Sequence, residues 1–172
     1  MKIAIIGYSG CGKSSLAEAL EEKLNLPVLY LDTVHHLPGW KARDRAETSQ
    51  IVGEFLDKHS ETGWIIDSTY RRHHFARRME EADVILLLRF RRLACLSRAW
   101  KRYRTYKGKS RPSMTPGCEE KFDWEFVRWI LWEGRRSHDP IFDQVLEEYG
   151  DKVIVIRNQR QLDAYYRSQG LE

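Results

Sequence analysis

No apolar run in this 172-residue chain approaches the length of a bilayer span, so a membrane-crossing helix is not expected. The apolar segment at the start is too short for a secretory leader and leads directly into a glycine-rich loop. Its three cysteines, Cys11, Cys95 and Cys118, lie far apart with no Cys-x-x-Cys pair, which argues against a disulfide framework or a zinc site. A reducing, cytoplasmic setting is the simple expectation. Internal repeats and low-complexity tracts are missing. The guanine-reading motif Asn-Lys-x-Asp is also missing, the nearest sequence being Arg157-Asn-Gln-Arg160. Acidic residues are lacking from Val84 to Cys118, a stretch that carries ten Lys or Arg. Taking those ten from the formal charge of +4 leaves −6 for the remainder, so the positive charge is concentrated where an anion is expected to bind.

What is present suits a single globular domain over residues 1–172, with 42% hydrophobic residues and six Trp. The chain is organised around Gly7-Tyr-Ser9-Gly10-Cys11-Gly12-Lys13-Ser14-Ser15. An apolar run precedes it and a helix-forming run follows. Gly-x4-Gly-Lys-Ser is the spacing of a phosphate-binding P-loop. Its glycines let the backbone approach an anion, and successive amides with a helix start can surround phosphate oxygens. The expected ligands are ATP and Mg2+, with Lys13 reaching the β- and γ-phosphates and Ser14 on the metal. Ser9, Gly10, Cys11 and Ser15 complete the expected cofactor-binding set.

Further strands are expected at 26–32, 63–67, 83–88 and 152–156, the first two of these closing on Asp32 and Asp67. Helices alternate with them: one of about fifteen residues with Ile51, Phe55 and Leu56 on one face, a basic one from Arg91 to Tyr106, a short one at 140–149 and a last one at 159–168. Phe122, Phe126, Trp129, Ile130 and Glu133 fall at helical spacing, four of the five apolar. This alternation implies an α/β fold, a parallel sheet with helices on both faces, and a glycine loop at the carboxyl ends of the strands. The turn-rich segment 108–118 is expected to be a mobile loop.

Asp32 and Asp67 should therefore lie at the sheet edge that carries the loop. There a carboxylate can hold Mg2+ or accept a proton from a hydroxyl nucleophile. Ser68, and not Glu, follows Asp67, which makes a bare water-activating ATPase less expected. Arg98 and Arg102 share a helix face beside Lys101 and would neutralise a transferring phosphate. A solvated basic face is the plainer alternative, and a nucleic-acid footprint with Tyr103 and Tyr106 is the weaker one. Arg71 and Arg72 are candidates for an acceptor's anion, and Arg135 and Arg136 for a return to the phosphates. His35, His36 and Trp40 could line an acceptor pocket, Trp40 by stacking.

The loop, together with Asp67 followed four residues on by Arg71, resembles the small nucleoside and nucleotide kinases typified by adenylate kinase. Three longer phrases, Lys2–Gly10, Leu31–Trp40 and Arg102–Pro112, together with Gly117–Asp123, resemble bacterial DNA topology modulation proteins. That resemblance implies a three-layer P-loop fold of the nucleotide-kinase type, with strand order 2-3-1-4-5. It also implies a lid at about 107–121 flanked by Arg98 and Arg102, and an acceptor-binding region at about 33–62. The expected activity is ATP- and Mg2+-dependent phosphoryl transfer to a small-molecule acceptor, with nucleosides and nucleotides as candidates. Lys13, Asp32, Asp67, Arg98 and Arg102 would be catalytic, and His35, Trp40, Arg71 and Arg135 would bind substrate. A nucleotide-controlled DNA-binding regulator is the rival expectation.

Overall fold

The computed structural model describes residues 1–171; Glu172, the last residue of the expected domain, lies outside them. Strand β1 (Lys2–Gly7) leads through the glycine loop into helix α1 (Lys13–Leu24), and β2 (Val28–Tyr30) follows. A short helix α2 (Leu31–His35) and a hairpin of β3 (His36–Leu37) and β4 (Lys41–Ala42) precede helix α3 (Arg45–Lys58). Then come β5 (Trp64–Asp67), α4 (Phe75–Glu81), β6 (Val84–Leu88) and the basic helix α5 (Arg92–Tyr106). After a long loop, α6 (Trp124–Arg128) runs through a π-helical turn (Trp129–Glu133) into α7 (Gly134–Tyr149), followed by β7 (Val153–Ile156) and α8 (Gln159–Gln169).

Five strands form one parallel sheet in the spatial order β2-β5-β1-β6-β7, flanked by helices. The central strands read as apolar runs because both faces of a parallel sheet are covered; Ile5, Ile65, Leu86 and Leu87 are fully buried. Register pairs Ile5 with Asp67 and with Leu86, and Gly7 with Leu88. The carboxyl ends of β1, β5 and β6 therefore open on one edge, with the glycine loop in the middle.

Several elements depart from the sequence expectation. Asp32 does not close a strand: β2 stops at Tyr30, and Asp32 sits in the first turn of α2. The segment after it holds α2 and the β3–β4 hairpin where a plain loop was expected. On α3 the fully buried positions are Thr48, Val52 and Leu56, while Ile51 and Phe55 are only partly covered. The helix expected at 140–149 begins at Gly134 and carries Pro140 inside it. Proline forfeits one hydrogen bond there, but the apolar face of Ile141, Phe142 and Val145 still buries the helix. Phe122 lies ahead of α6 and packs against Trp100, ring centroids 5.0 Å apart.

Candidate active site

The glycine loop is shaped by backbone that only glycine tolerates well. Gly10 has φ near +79°, and a Cβ there would come 2.5 Å from the Cys95 carbonyl oxygen of α5. At Gly12, φ near +98°, a Cβ would meet Arg98 Nη1 at 2.7 Å. Arg98 uses that space: its Nη1 donates to the Cys11 carbonyl at 2.8 Å, and its guanidinium stacks 4.5 Å above the Phe90 ring. No side chain caps the start of α1, whereas Asp44, Asp123 and Asn158 cap α3, α6 and α8. The first-turn amides of α1 thus keep the partial positive charge that binds anions.

Lys13 folds back over the loop, Nζ donating to the Tyr8 carbonyl at 3.1 Å. Beside it, Ser14 Oγ donates to Asp67 Oδ2 at 2.7 Å. Burial pushes the Asp67 carboxyl above its ordinary range, with Lys13 and the Ser14 hydroxyl pulling the other way. Burial opposes the charge of Lys13, but its neighbours, the Asp67 and Asp32 carboxylates among them, outweigh it and its pKa rises. The pair is thus a held ammonium beside a carboxylate short of solvation. A hydroxyl and a carboxylate so close form an oxygen donor set of the kind Mg2+ accepts; among the described residues no group of three or more His, Cys, Asp or Glu could hold a metal by itself.

These groups open into a cleft of about 960 Å3. Of the expected cofactor-binding residues, Gly7, Ser9, Gly10, Gly12, Lys13, Ser14 and Ser15 line it. Cys11 does not, because its side chain is fully buried in the core beneath the loop, where burial also pushes its thiol pKa up. Asp32, Asp67, Arg98, Arg102 and Trp40 all line the cleft.

Three expected substrate-binding residues are absent from the lining. Arg71 is exposed and its Nη2 donates to Gln144 Oε1 on α7 at 3.1 Å. His35 packs against His36 and Tyr70, centroids 4.7 and 4.8 Å away; its neighbour His36 lines the cleft instead. Arg135 supports the loop from behind, with Nη2 on the Phe90 carbonyl at 2.6 Å and its guanidinium 3.9 Å from the Tyr8 ring centre. The expected acceptor region 33–62 contributes only His36 and Trp40, joined by Tyr30, Asp32 and Tyr70 from outside it.

Residues 107–121 lie against the hairpin that β3 and β4 form. Thr115 Oγ1 donates to the Thr33 and His36 carbonyls at 3.0 and 2.6 Å, and Gly39 N donates to the Gly117 carbonyl at 3.1 Å. Trp40 donates from Nε1 to the Glu119 carbonyl at 3.0 Å. Within this closure Glu120 accepts Arg102 Nε at 3.0 Å and lies 3.5 Å from Arg111 Nε, while Arg111 Nη2 reaches Asp32 Oδ2 at 3.3 Å. Burial, then the nearby Arg111, lowers the Arg102 pKa. The basic stretch is therefore partly spent inside the protein: Arg89 pairs with Asp139 and Asp143, and Arg98, Arg102 and Arg111 face the cleft.

Sequence reasoning passed over Thr69, Glu120 and Trp129. Thr69 Oγ1 accepts from Gly7 N at 3.0 Å and donates to the Gly7 carbonyl at 2.7 Å, tying the loop to the end of β5. Its only sequence signal is its place two residues after Asp67. Glu120 belongs to the first acidic pair after the acid-free stretch, a signal open to reading. Trp129 reaches Ser9 Oγ with Nε1 at 3.3 Å because the π-helical turn brings it round; a Cβ on Gly134 would stand 2.9 Å from that Nε1. Among family models and curated proteins, none matches the chain.

Proposed function

We propose that this chain transfers the γ-phosphoryl group of a nucleoside triphosphate, ATP by expectation, to a hydroxyl group of a small-molecule acceptor. The observation that carries this reading is the contact of Ser14 with Asp67 beside Lys13, in a cleft that Arg98, Arg102 and Arg111 also line. Positioning and charge stabilisation supply most of the catalysis in such transfers. The loop amides and Lys13 would hold the β- and γ-phosphates. Ser14 and Asp67 would hold Mg2+, which neutralises charge on the phosphates when bound. Arg98, fixed on the loop carbonyl of Cys11, would face the transferring group. Arg102, on α5 and tied to the 107–121 loop by its bond to Glu120, would add positive charge on the same side of the cleft. Asp32, paired with Arg111 and neighboured by the Tyr70 hydroxyl, would orient the acceptor hydroxyl and take its proton. The whole assembly resembles the P-loop fold of nucleotide kinases, and the inward-facing arginines favour this reading over a nucleic-acid-binding one.

The decisive assay follows label from γ-labelled ATP with Mg2+ onto a panel of nucleosides, nucleoside monophosphates and hydroxylated metabolites. Transfer that falls about a hundredfold or more in Lys13→Ala, with circular dichroism unchanged, supports the reading. Turnover unaltered by that substitution overturns it.

A further inference from the structure

The charge distribution within the cleft bears on which acceptor enters it. On the side away from the glycine loop, the walls are flat rings: Tyr30, His36, Trp40 and Tyr70. Asp32 stands among them, and Glu18 and Glu21 of α1 line the same cleft, both close enough to Tyr30 for their charge to act on its hydroxyl. Three cations stand near this side: Arg102 of α5, held by Glu120 at 3.0 Å and within range of the Asp32 charge, and Arg111 and Lys121 of the 107–121 loop. Arg111 already faces two carboxylates, Asp32 at 3.3 Å and Glu120 at 3.5 Å. Lys121 is exposed and lies 5.5 Å above the Trp40 ring centre.

The arginines of the segment after β5 are turned away from the cleft. Arg71 is on Gln144, outside the cleft. Arg72 is exposed and does not line it. Arg78 is fully buried, its Nη2 donating to the Tyr70 and Arg72 carbonyls at 2.5 and 3.2 Å. It shapes the segment after β5 and offers nothing to a ligand. A phosphate monoester at neutral pH would bring between one and two negative charges against carboxylates, which repel it. A hydroxyl group would instead donate to them. His36 adds a buried Nδ1 with no hydrogen-bond partner in the protein.

We infer that the acceptor is an uncharged ring compound bearing hydroxyl groups, of the nucleoside or sugar class, and not the corresponding monophosphate. The inference rests on the phosphoryl-transfer reading of the same site. In the step, the acceptor oxygen bonds to the γ-phosphorus and the bond from that phosphorus to the β–γ bridging oxygen breaks. The nucleoside diphosphate leaves, and the hydroxyl proton passes to the Asp32 carboxylate.

The test titrates adenosine, thymidine and glucose, each beside its own monophosphate, into the full chain with Mg2+ and a non-hydrolysable ATP analogue. The same pairs are assayed for transfer from γ-labelled ATP. At least one uncharged member should bind about tenfold or more tighter than its monophosphate, the equivalent of about 1.4 kcal/mol. Glu120→Gln, which releases Arg111 and Arg102 from a carboxylate, should narrow that preference several-fold; a preference unmoved in a folded variant counts against the inference. Monophosphates binding as tightly in every pair, or no member of any pair binding, overturns it. Label on monophosphates alone also overturns it while upholding transfer. Uncharged compounds that bind without label being transferred keep the ligand class and sink the transfer reading instead.

Discussion

Ser14 Oγ and Asp67 Oδ2 are 2.7 Å apart although 53 residues separate them in sequence. The contact joins the first turn of α1 to the last residue of β5, so the two oxygens arrive together only when the sheet has paired. Asp67 is 8% exposed, and a buried carboxylate with one hydroxyl donor costs stability that a metal ion would return.

That cost predicts a trade-off in Asp67→Asn. The raised Asp67 pKa favours the protonated form, so its contribution to stability is greatest below the ordinary carboxylate value and is lost as pH rises through the folded one. Asn stays neutral and can still accept from Ser14. Without nucleotide, the stability of the variant relative to wild type should therefore rise from pH 4 toward neutral pH. Scanning calorimetry across pH checks this. Mg2+-dependent nucleotide affinity should fall about tenfold or more in the same variant.

Thr69→Val keeps the shape and removes both hydrogen bonds to Gly7. It leaves a buried amide and carbonyl at the loop entrance unpaired, so urea unfolding should show a loss of about 1–3 kcal/mol. Nucleotide affinity should drop as well, because the loop loses its anchor to the end of β5. An affinity unchanged alongside the stability loss would remove Thr69 from the site.

Two glycines with similar dihedral angles separate backbone strain from steric conflict. Gly10 and Gly39 have φ near +79° and +77°, but only at Gly10 does an added Cβ meet backbone, Cys95 O at 2.5 Å; around Gly39 nothing lies within 4 Å. Gly39→Ala should cost about 1–2 kcal/mol from the left-handed conformation alone. Gly10→Ala should cost clearly more and displace the loop from α5. Equal denaturation midpoints would refute the distinction.

Glu120→Gln removes the carboxylate shared by Arg102 and Arg111. Two guanidinium groups then face each other with less compensation, at a cost of about 1–3 kcal/mol. The 107–121 loop should open more often, and trypsin should cut sooner at the exposed Lys107 and Lys109. A digestion rate equal to wild type would show that other contacts, such as those of Thr115, hold the loop by themselves.

The glycine loop, the apolar strands and α5 were legible because each is a local pattern: spacing, a continuous apolar run, a 3.6-residue period. Asp67 was legible for the same reason, as the end of a strand. Arg71 and Asp32 show where local reading stops. Arg71 follows Asp67 at a suggestive interval, yet the chain turns after β5, held by the buried Arg78, and carries it out to Gln144. Asp32 reaches the cleft, but from a helix turn, because β2 ends two residues earlier.

The alternating α/β architecture, the glycine-lysine-serine turn and the concentration of positive charge are all set by neighbours along the chain. Which cations face the cleft, that Glu120 bridges Arg102 and Arg111, and that Thr69 holds Gly7 follow from packing in three dimensions. Those are contacts between residues far apart in sequence, and their partners are chosen by which elements the sheet order and the packing of helices bring together.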